Sequence, residues 1–222
     1  MPATESHPNG QGAADRPFDA VLCDVDGVIR HLDSTEVSRL ERAAGLPEGT
    51  TASVGYAPEN DLPLLLGQIT RQEWAGSIVR DLLPRVSRKE AEALALAFTV
   101  ADFRTDETVV GLLRHVREHC PLVLVSNATT WLDEDLARLG LTGLAHSVVN
   151  SSLVGVSKPD RRIYEIAAER AGVSPDRCLF VDDRQENVDA AVALGMTGVL
   201  HRTADDLRAA LGELGGPNGP KD

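Results

Sequence analysis

Residues 21–30 read VLCDVDGVIR. An apolar run that starts at Phe18 ends in two aspartates one residue apart, and then a glycine. Carboxylates placed directly after a buried strand are costly unless a cation or hydrogen-bond donors meet them. The pair therefore calls for partners elsewhere in the chain.

Working outward, FDAVLC (18–23) is the first of five short apolar runs. The others are LVLVS (122–126), SVVN (147–150), CLFV (178–181) and TGVL (197–200). Most are continuously apolar rather than alternating, as strands covered on both faces are. Helical patterns fill the gaps. Thr105 or Asp106 can cap one that runs to about His119, and Thr130-x-x-Asp133 resembles a capping box for the next. Pro159 suits the first turn of a helix ending near Ala171, and further helices are expected over about 185–194 and 204–212. This alternation gives an α/β fold, a parallel sheet with helices on both faces.

Residues 33–103 break the rhythm. They hold no convincing strand, but they carry helix starts at Asp33 or Ser34, at Thr70-x-x-Glu73 and at Ser87-x-x-Glu90. Such a length is too much for a loop and suits a small all-helical subdomain that leaves the strand end carrying the aspartates and can serve as a lid. The expected organisation is a flexible tail over 1–16, a core over 17–32 and 104–214, a helical cap over 33–103, and a second flexible tail over 215–222.

Composition narrows the function. Of 222 residues 42% are apolar, enough for a buried core, while the net charge of −12 disfavours nucleic acid and anionic membrane as partners. A metal ion and one lysine can still reverse the field locally for an anionic small substrate. Cys23, Cys120 and Cys178 are an odd set at wide spacing, read as small buried hydrophobes in a reducing compartment. The first residues, MPATESHPNGQGAADR, contain no apolar segment, and no apolar stretch is long enough to span a bilayer, so a cytoplasmic protein is expected.

In a parallel sheet chemistry collects at the carboxyl ends of the strands. Asp24, Asp26 and Gly27 lie there after the first strand, Ser126 and Asn127 after the second, and Asp182 and Asp183 after the fourth. Lys158, before Pro159, follows the third strand and its loop. Clustered carboxylates repel unless a cation holds them together, and oxygen ligands without His or Cys favour Mg²⁺. One aspartate can attack phosphorus, and the other, two residues away, can protonate the leaving oxygen and later activate water. The Ser126 hydroxyl, the Asn127 backbone N–H and the Lys158 ammonium suit the equatorial phosphoryl oxygens. Gly27 permits a tight turn beside the phosphate.

These residues fall into four motifs: DVDGV (24–28), VSN (125–127), SKPD (157–160) and FVDDRQENVDAA (180–191). In order and spacing, over about 18–212, the chain resembles the haloacid dehalogenase-like (HAD) hydrolase superfamily. Its insertion is similar to the helical cap of the subclass that includes β-phosphoglucomutase, phosphoglycolate phosphatase and the phosphatase domain of epoxide hydrolase. The resemblance implies that Asp24 is nucleophile and Mg²⁺ ligand, and that Asp26 is general acid/base with its main-chain carbonyl on the metal. It further implies that Ser126 and Asn127 bind phosphate and that Lys158 stabilises nucleophile and transferred group. Asp183 is the better direct metal ligand, Asp182 a second one, through water if not directly, and Asn187 orients the metal loop. Dehalogenases of this superfamily lack the second acid, so Asp26 argues for phosphate rather than C–halogen chemistry.

The expected fold is a three-layer Rossmann-like core with a parallel sheet of strand order 3-2-1-4-5 and the inserted cap. The expected function is a Mg²⁺-dependent phosphatase acting on a small phosphorylated metabolite through an aspartyl-phosphate, as a monomer or homodimer. A phosphomutase of a sugar phosphate uses the same site, and a non-catalytic phosphometabolite-binding regulator keeps the same fold. Other features read as structural. His115 and His119 have metal-binding i,i+4 spacing, but no third ligand is evident and they sit at a helix end away from the aspartates. His31 reads as hinge or surface, and Arg39, Arg42, Arg71 and Arg80 as solvated helix faces. Trp74 reads as cap core, while Trp131, just after the second motif, either packs or lines the pocket.

Overall fold

A computed structural model describes residues 17–212. The tails expected over 1–16 and 215–222 lie outside the described residues. The central sheet has five parallel strands: β1 (Ala20–Cys23), β4 (Leu122–Ser126), β5 (Ser147–Asn150), β6 (Cys178–Asp182) and β7 (Thr197–Leu200), ordered β5-β4-β1-β6-β7. Counting only these five, this is the order 3-2-1-4-5. Val21 pairs with Leu122 on one side and Leu179 on the other, so β1 is central.

The continuous apolar runs are explained by the pleat, which sends alternate residues to opposite faces. Val21, Cys23, Leu122 and Leu124 join one core with α6 (Glu107–Arg117) and α11 (Ala204–Leu211). Ala20, Leu22, Val123 and Val125 join the other, against α9 (Arg161–Ala171) and α10 (Gln185–Ala193). Both faces of β1, β4 and β6 are buried, the outer strands β5 and β7 are partly covered, and three layers result.

The helix starts are only partly as expected. Thr70 and Ser87 form capping boxes with Glu73 and Glu90, opening α4 (Arg71–Leu82) and α5 (Arg88–Thr99). Asp106, not Thr105, caps α6 through the N–H groups of Thr108 and Val109. The Thr130–Asp133 box does not form: α7 (Leu132–Arg138) starts after Trp131 without a side-chain cap. Pro159 stays outside α9, whose cap is Asp160. The peptide bond before Pro159 is cis.

Residues 33–103 also hold α1 (Thr35–Ala43), α2 (Thr50–Gly55) and α3 (Pro58–Leu65). These five helices share an apolar cluster that includes Val37, Leu64, Trp74, Ile78 and Phe98. One expectation is corrected here. Residue 103 begins a strand, β3 (Phe103–Thr105), antiparallel to β2 (Arg30–Leu32), with Arg30 opposite Thr105 and Leu32 opposite Phe103. The two chain passages between sheet and helices are thus one short ribbon. Three mixed residues per strand carry no readable period.

Two contacts seat the helices on the core. The Ser151 hydroxyl donates to the Leu65 carbonyl at 2.7 Å, and a Cβ on Gly67, where φ is +70°, would meet the Ser152 carbonyl oxygen at 2.5 Å.

Candidate active site

The carboxyl ends of β1, β4 and β6 and the loop before α9 deliver the expected residues to one rim. Lys158 is at its centre. Its ammonium, buried, lies 2.8 Å from Asp24 Oδ1 and 2.7 Å from Asp182 Oδ2. Burial pulls the lysine pKa down, but Asp24 and Asp182 together hold it above its ordinary value. Burial pushes the Asp24 carboxyl up to about 8 against the pull of Lys158, with Asp182 adding to the rise.

Asp182 is fully enclosed. Besides Lys158, its Oδ1 accepts from the Arg184 N–H and the Asn187 amide, each at 2.9 Å. Asn187 is in turn tied to Tyr164, whose hydroxyl donates to its carbonyl at 3.0 Å. Asp183 faces the cavity, its pKa raised by burial and then by Asp182. Gly27, at φ +83°, is required beside it, because a Cβ there would lie 2.3 Å from Asp183 Oδ2.

Carboxylate oxygens of Asp24, Asp182 and Asp183 lie within 4.8 Å of one another. Three hard anionic donors so close, with no nitrogen or sulfur among them, suit Mg²⁺ or a similar cation. Ser126, at the end of β4, is fully buried, and its hydroxyl has no hydrogen-bond partner among the described residues. A native buried hydroxyl left unpaired is unusual.

The side chain of Asn127 has a structural use beside the main-chain role expected of it. Its side-chain amide donates to the Lys158 carbonyl at 2.9 Å and its Oδ1 accepts from the Lys158 N–H at 2.7 Å. The side chain thus staples the lysine loop to β4, which leaves phosphate binding to its main chain.

Two functional features were missed in the sequence. Arg30 reaches both oxygens of Asp26, through Nε at 2.8 Å and Nη2 at 3.2 Å, and its Nη1 donates to Asp135 Oδ2 at 3.2 Å. Its guanidinium lies over the Phe103 ring, 3.8 Å from the centroid. The four-residue step from Asp26 to Arg30 was a local signal; Asp135, 105 residues away, offered none. The second is Asp61 of α3, which lines the cavity. Its carboxylate has no hydrogen bond or ion pair among the described residues, and burial lifts its pKa to about 6 against Arg184.

Together these groups border a cavity of about 640 Å³ between the sheet and the inserted helices. Trp131 is on its wall and also carries the Arg71 guanidinium, 4.1 Å above its ring, so Arg71 is not simply solvated. Arg39, Arg42 and Arg80 do lie at the surface, paired with Glu36, Glu48 and Asp81. Trp74 packs the helical core with its indole N–H on the Gly55 carbonyl, and also touches the cavity. His31 is exposed and lines the cavity too. At the far end of α6, Glu118 joins His115 and His119 with ligand atoms within 4.8 Å, so a third ligand does exist there.

A family profile described as haloacid dehalogenase-like hydrolase matches residues 18–195, most of the chain. The chain belongs to the haloacid dehalogenase-like hydrolases. This hydrolase is 29% identical over 215 residues to Phosphatase MT3486 of Mycobacterium tuberculosis, covering 88% of this chain and 94% of that protein. It is 37% identical over 194 residues to a glyceraldehyde 3-phosphate phosphatase of Methanothermobacter thermautotrophicus, covering 82% and 84%. In fold it is similar to the HAD family enzyme bt-2542 of Bacteroides thetaiotaomicron, solved with magnesium and inorganic phosphate. The TM-score is 0.60 at 23% identity, over 81% of this chain and 92% of that one. The L-2-haloacid dehalogenase of Xanthobacter autotrophicus shares the fold as well, at TM-score 0.59 and 21% identity over 87% and 82%.

Proposed function

We propose that this hydrolase is a Mg²⁺-dependent phosphatase of a small phosphomonoester, working through an aspartyl-phosphate on Asp24. The observation that carries the reading is the buried Lys158 ammonium between Asp24 and Asp182, with Asp183 beside them. An amine enclosed with three carboxylates is a poor structural device but a good clamp for a transferring PO₃ group.

In this reading Asp24 and Asp183 hold the ion, with the Asp26 carbonyl contributing. Asp182, whose oxygens already accept from Lys158, Arg184 and Asn187, acts mainly by fixing Lys158. Bound Mg²⁺ would neutralise the acidic rim and the charge of the phosphoryl oxygens. An Asp24 oxygen attacks phosphorus while the P–O ester bond breaks. Asp26 gives a proton to the departing alkoxide, then takes one from the water that attacks the phosphoryl-aspartate. Arg30 occupies one lone pair on each Asp26 oxygen and fixes where the carboxylate stands, leaving lone pairs for that proton. Lys158, the Ser126 hydroxyl and the Asn127 main chain hold the phosphoryl oxygens. The five inserted helices act as a cap over 33–103 that excludes bulk water.

Asp24→Asn removes the nucleophile and keeps its shape. Turnover of p-nitrophenyl phosphate with Mg²⁺ should fall by at least about a thousandfold, with an unchanged circular dichroism spectrum. Rapid acid quench of the unaltered enzyme should leave phosphate on the peptide containing Asp24. Wild-type turnover in the variant, or label on another residue, overturns the assignment.

A further inference from the structure

The cavity wall is of two kinds. The strand ends and the loop before α9 contribute Lys158, Asp24, Asp26 and Asp183. Another part is mostly carbon: Tyr56, Leu64, Trp74 and Phe98 come from the inserted helices and their ends and Trp131 from the core. Phe98 stands edge-on to Tyr56, with ring centroids 5.3 Å apart, and 5.5 Å from Trp74, so the wall is a packed aromatic surface.

The charges on that side are unusual for a site that binds anions. No Arg or Lys of α1–α5 lines the cavity among the described residues, whereas the carboxylate of Asp61 does, with no donor satisfying it. Of the core's guanidinium groups on the cavity, Arg30 is shared between Asp26 and Asp135, and Arg184, largely exposed, pairs with Glu186 through Nη2 at 2.6 Å while facing Asp61. His31 adds one imidazole at the margin. A second anionic group on the substrate would meet aromatic carbon and an unpaired acid, with Arg184 the one guanidinium not already shared between two carboxylates. A neutral apolar group would be welcome there, and a hydroxyl or N–H on it could donate to Asp61.

We propose that the substrate is a phosphomonoester of an uncharged, largely apolar alcohol, aromatic or branched, and that Asp61 is a specificity residue rejecting esters that carry a second anion. This rests on the phosphomonoester reading of the site. Rejection by a desolvated like charge commonly amounts to about ten- to a hundredfold.

The test uses the Mg²⁺-loaded full chain and two phosphonates that cannot be hydrolysed, benzylphosphonate and phosphonoacetate, with affinities measured by calorimetry. Benzylphosphonate should bind at least about tenfold more tightly, and Asp61→Asn should narrow the gap by improving phosphonoacetate. Equal or tighter binding of phosphonoacetate by the unaltered chain overturns the proposal, as does binding of neither. A gap that Asp61→Asn leaves unchanged removes Asp61 from it. Because neither probe turns over, the result is separate from catalysis. Failure to hydrolyse both benzyl phosphate and phosphoglycolate would defeat the phosphatase reading instead.

Discussion

Lys158 and Arg30 divide the electrostatic work at this rim. Each is a buried cation between two carboxylates, but their geometries differ. Lys158 offers a compact charge that a phosphoryl oxygen can share. Arg30 offers a planar fork with all three nitrogens aimed, two at Asp26 and one at Asp135, with its face on Phe103. A lysine at position 30 would keep the charge and lose the fork. Arg30→Lys should therefore lower kcat by about ten- to a hundredfold with KM nearly constant, because Asp26 is misplaced while the phosphate clamp stands. The loss should be smaller for p-nitrophenyl phosphate than for an alkyl phosphate, since the better leaving group needs its proton less. A uniform loss across leaving groups would show that Arg30 does not act through Asp26.

At the scale of elements, legibility followed range. The three inner strands could be read because each is apolar on both faces over about four residues, and the shorter apolar cores of SVVN and TGVL followed from the alternation with helices. Thr70 and Ser87 could be read because a capping box is complete within four residues. Thr130 matched the same pattern, but α7 starts only after Trp131, whose ring carries Arg71 from α4, a contact the local pattern could not show. The β2–β3 ribbon joins segments about 70 residues apart, and the seat of Gly67 on Ser152 joins segments still farther apart. The same distinction holds within the site: Asp24, Lys158 and Asp183 announced themselves by motif, whereas Asp61 and the Arg30–Asp135 pair depend on how the helices dock. The docking itself can be probed at Gly67. There alanine would need both a strained positive φ and room that the Ser152 carbonyl fills. Gly67→Ala should lift α3 from the core and cost about 1–3 kcal/mol of stability. It should raise KM for esters with a bulky alcohol more than for methyl phosphate. Equal KM changes for both esters would show that α3 is not part of the alcohol site.

Over the whole molecule, the net charge of −12 and the acidic rim act in the same direction. Asp24, Asp182 and Asp183 stand within 4.8 Å with one ammonium among them, so folding gathers repulsion that the unfolded chain does not feel. A ligand that binds only the folded arrangement adds stability by mass action, about 2.7 kcal/mol at a hundred times its Kd. For a chain of this size that corresponds to a rise in Tm of about 5–10 °C. Mg²⁺ at such a concentration should produce that rise, and EDTA should reverse it. Sodium chloride at equal ionic strength should recover only a small part, because screening acts weakly on enclosed charges. Asp183→Asn, which removes a cavity-facing oxygen anion but no strand, should lose most of the Mg²⁺ increment while melting at or above the metal-free wild type. If sodium chloride matches Mg²⁺, or if the Asp183 variant responds fully, the rim is not the ion's seat.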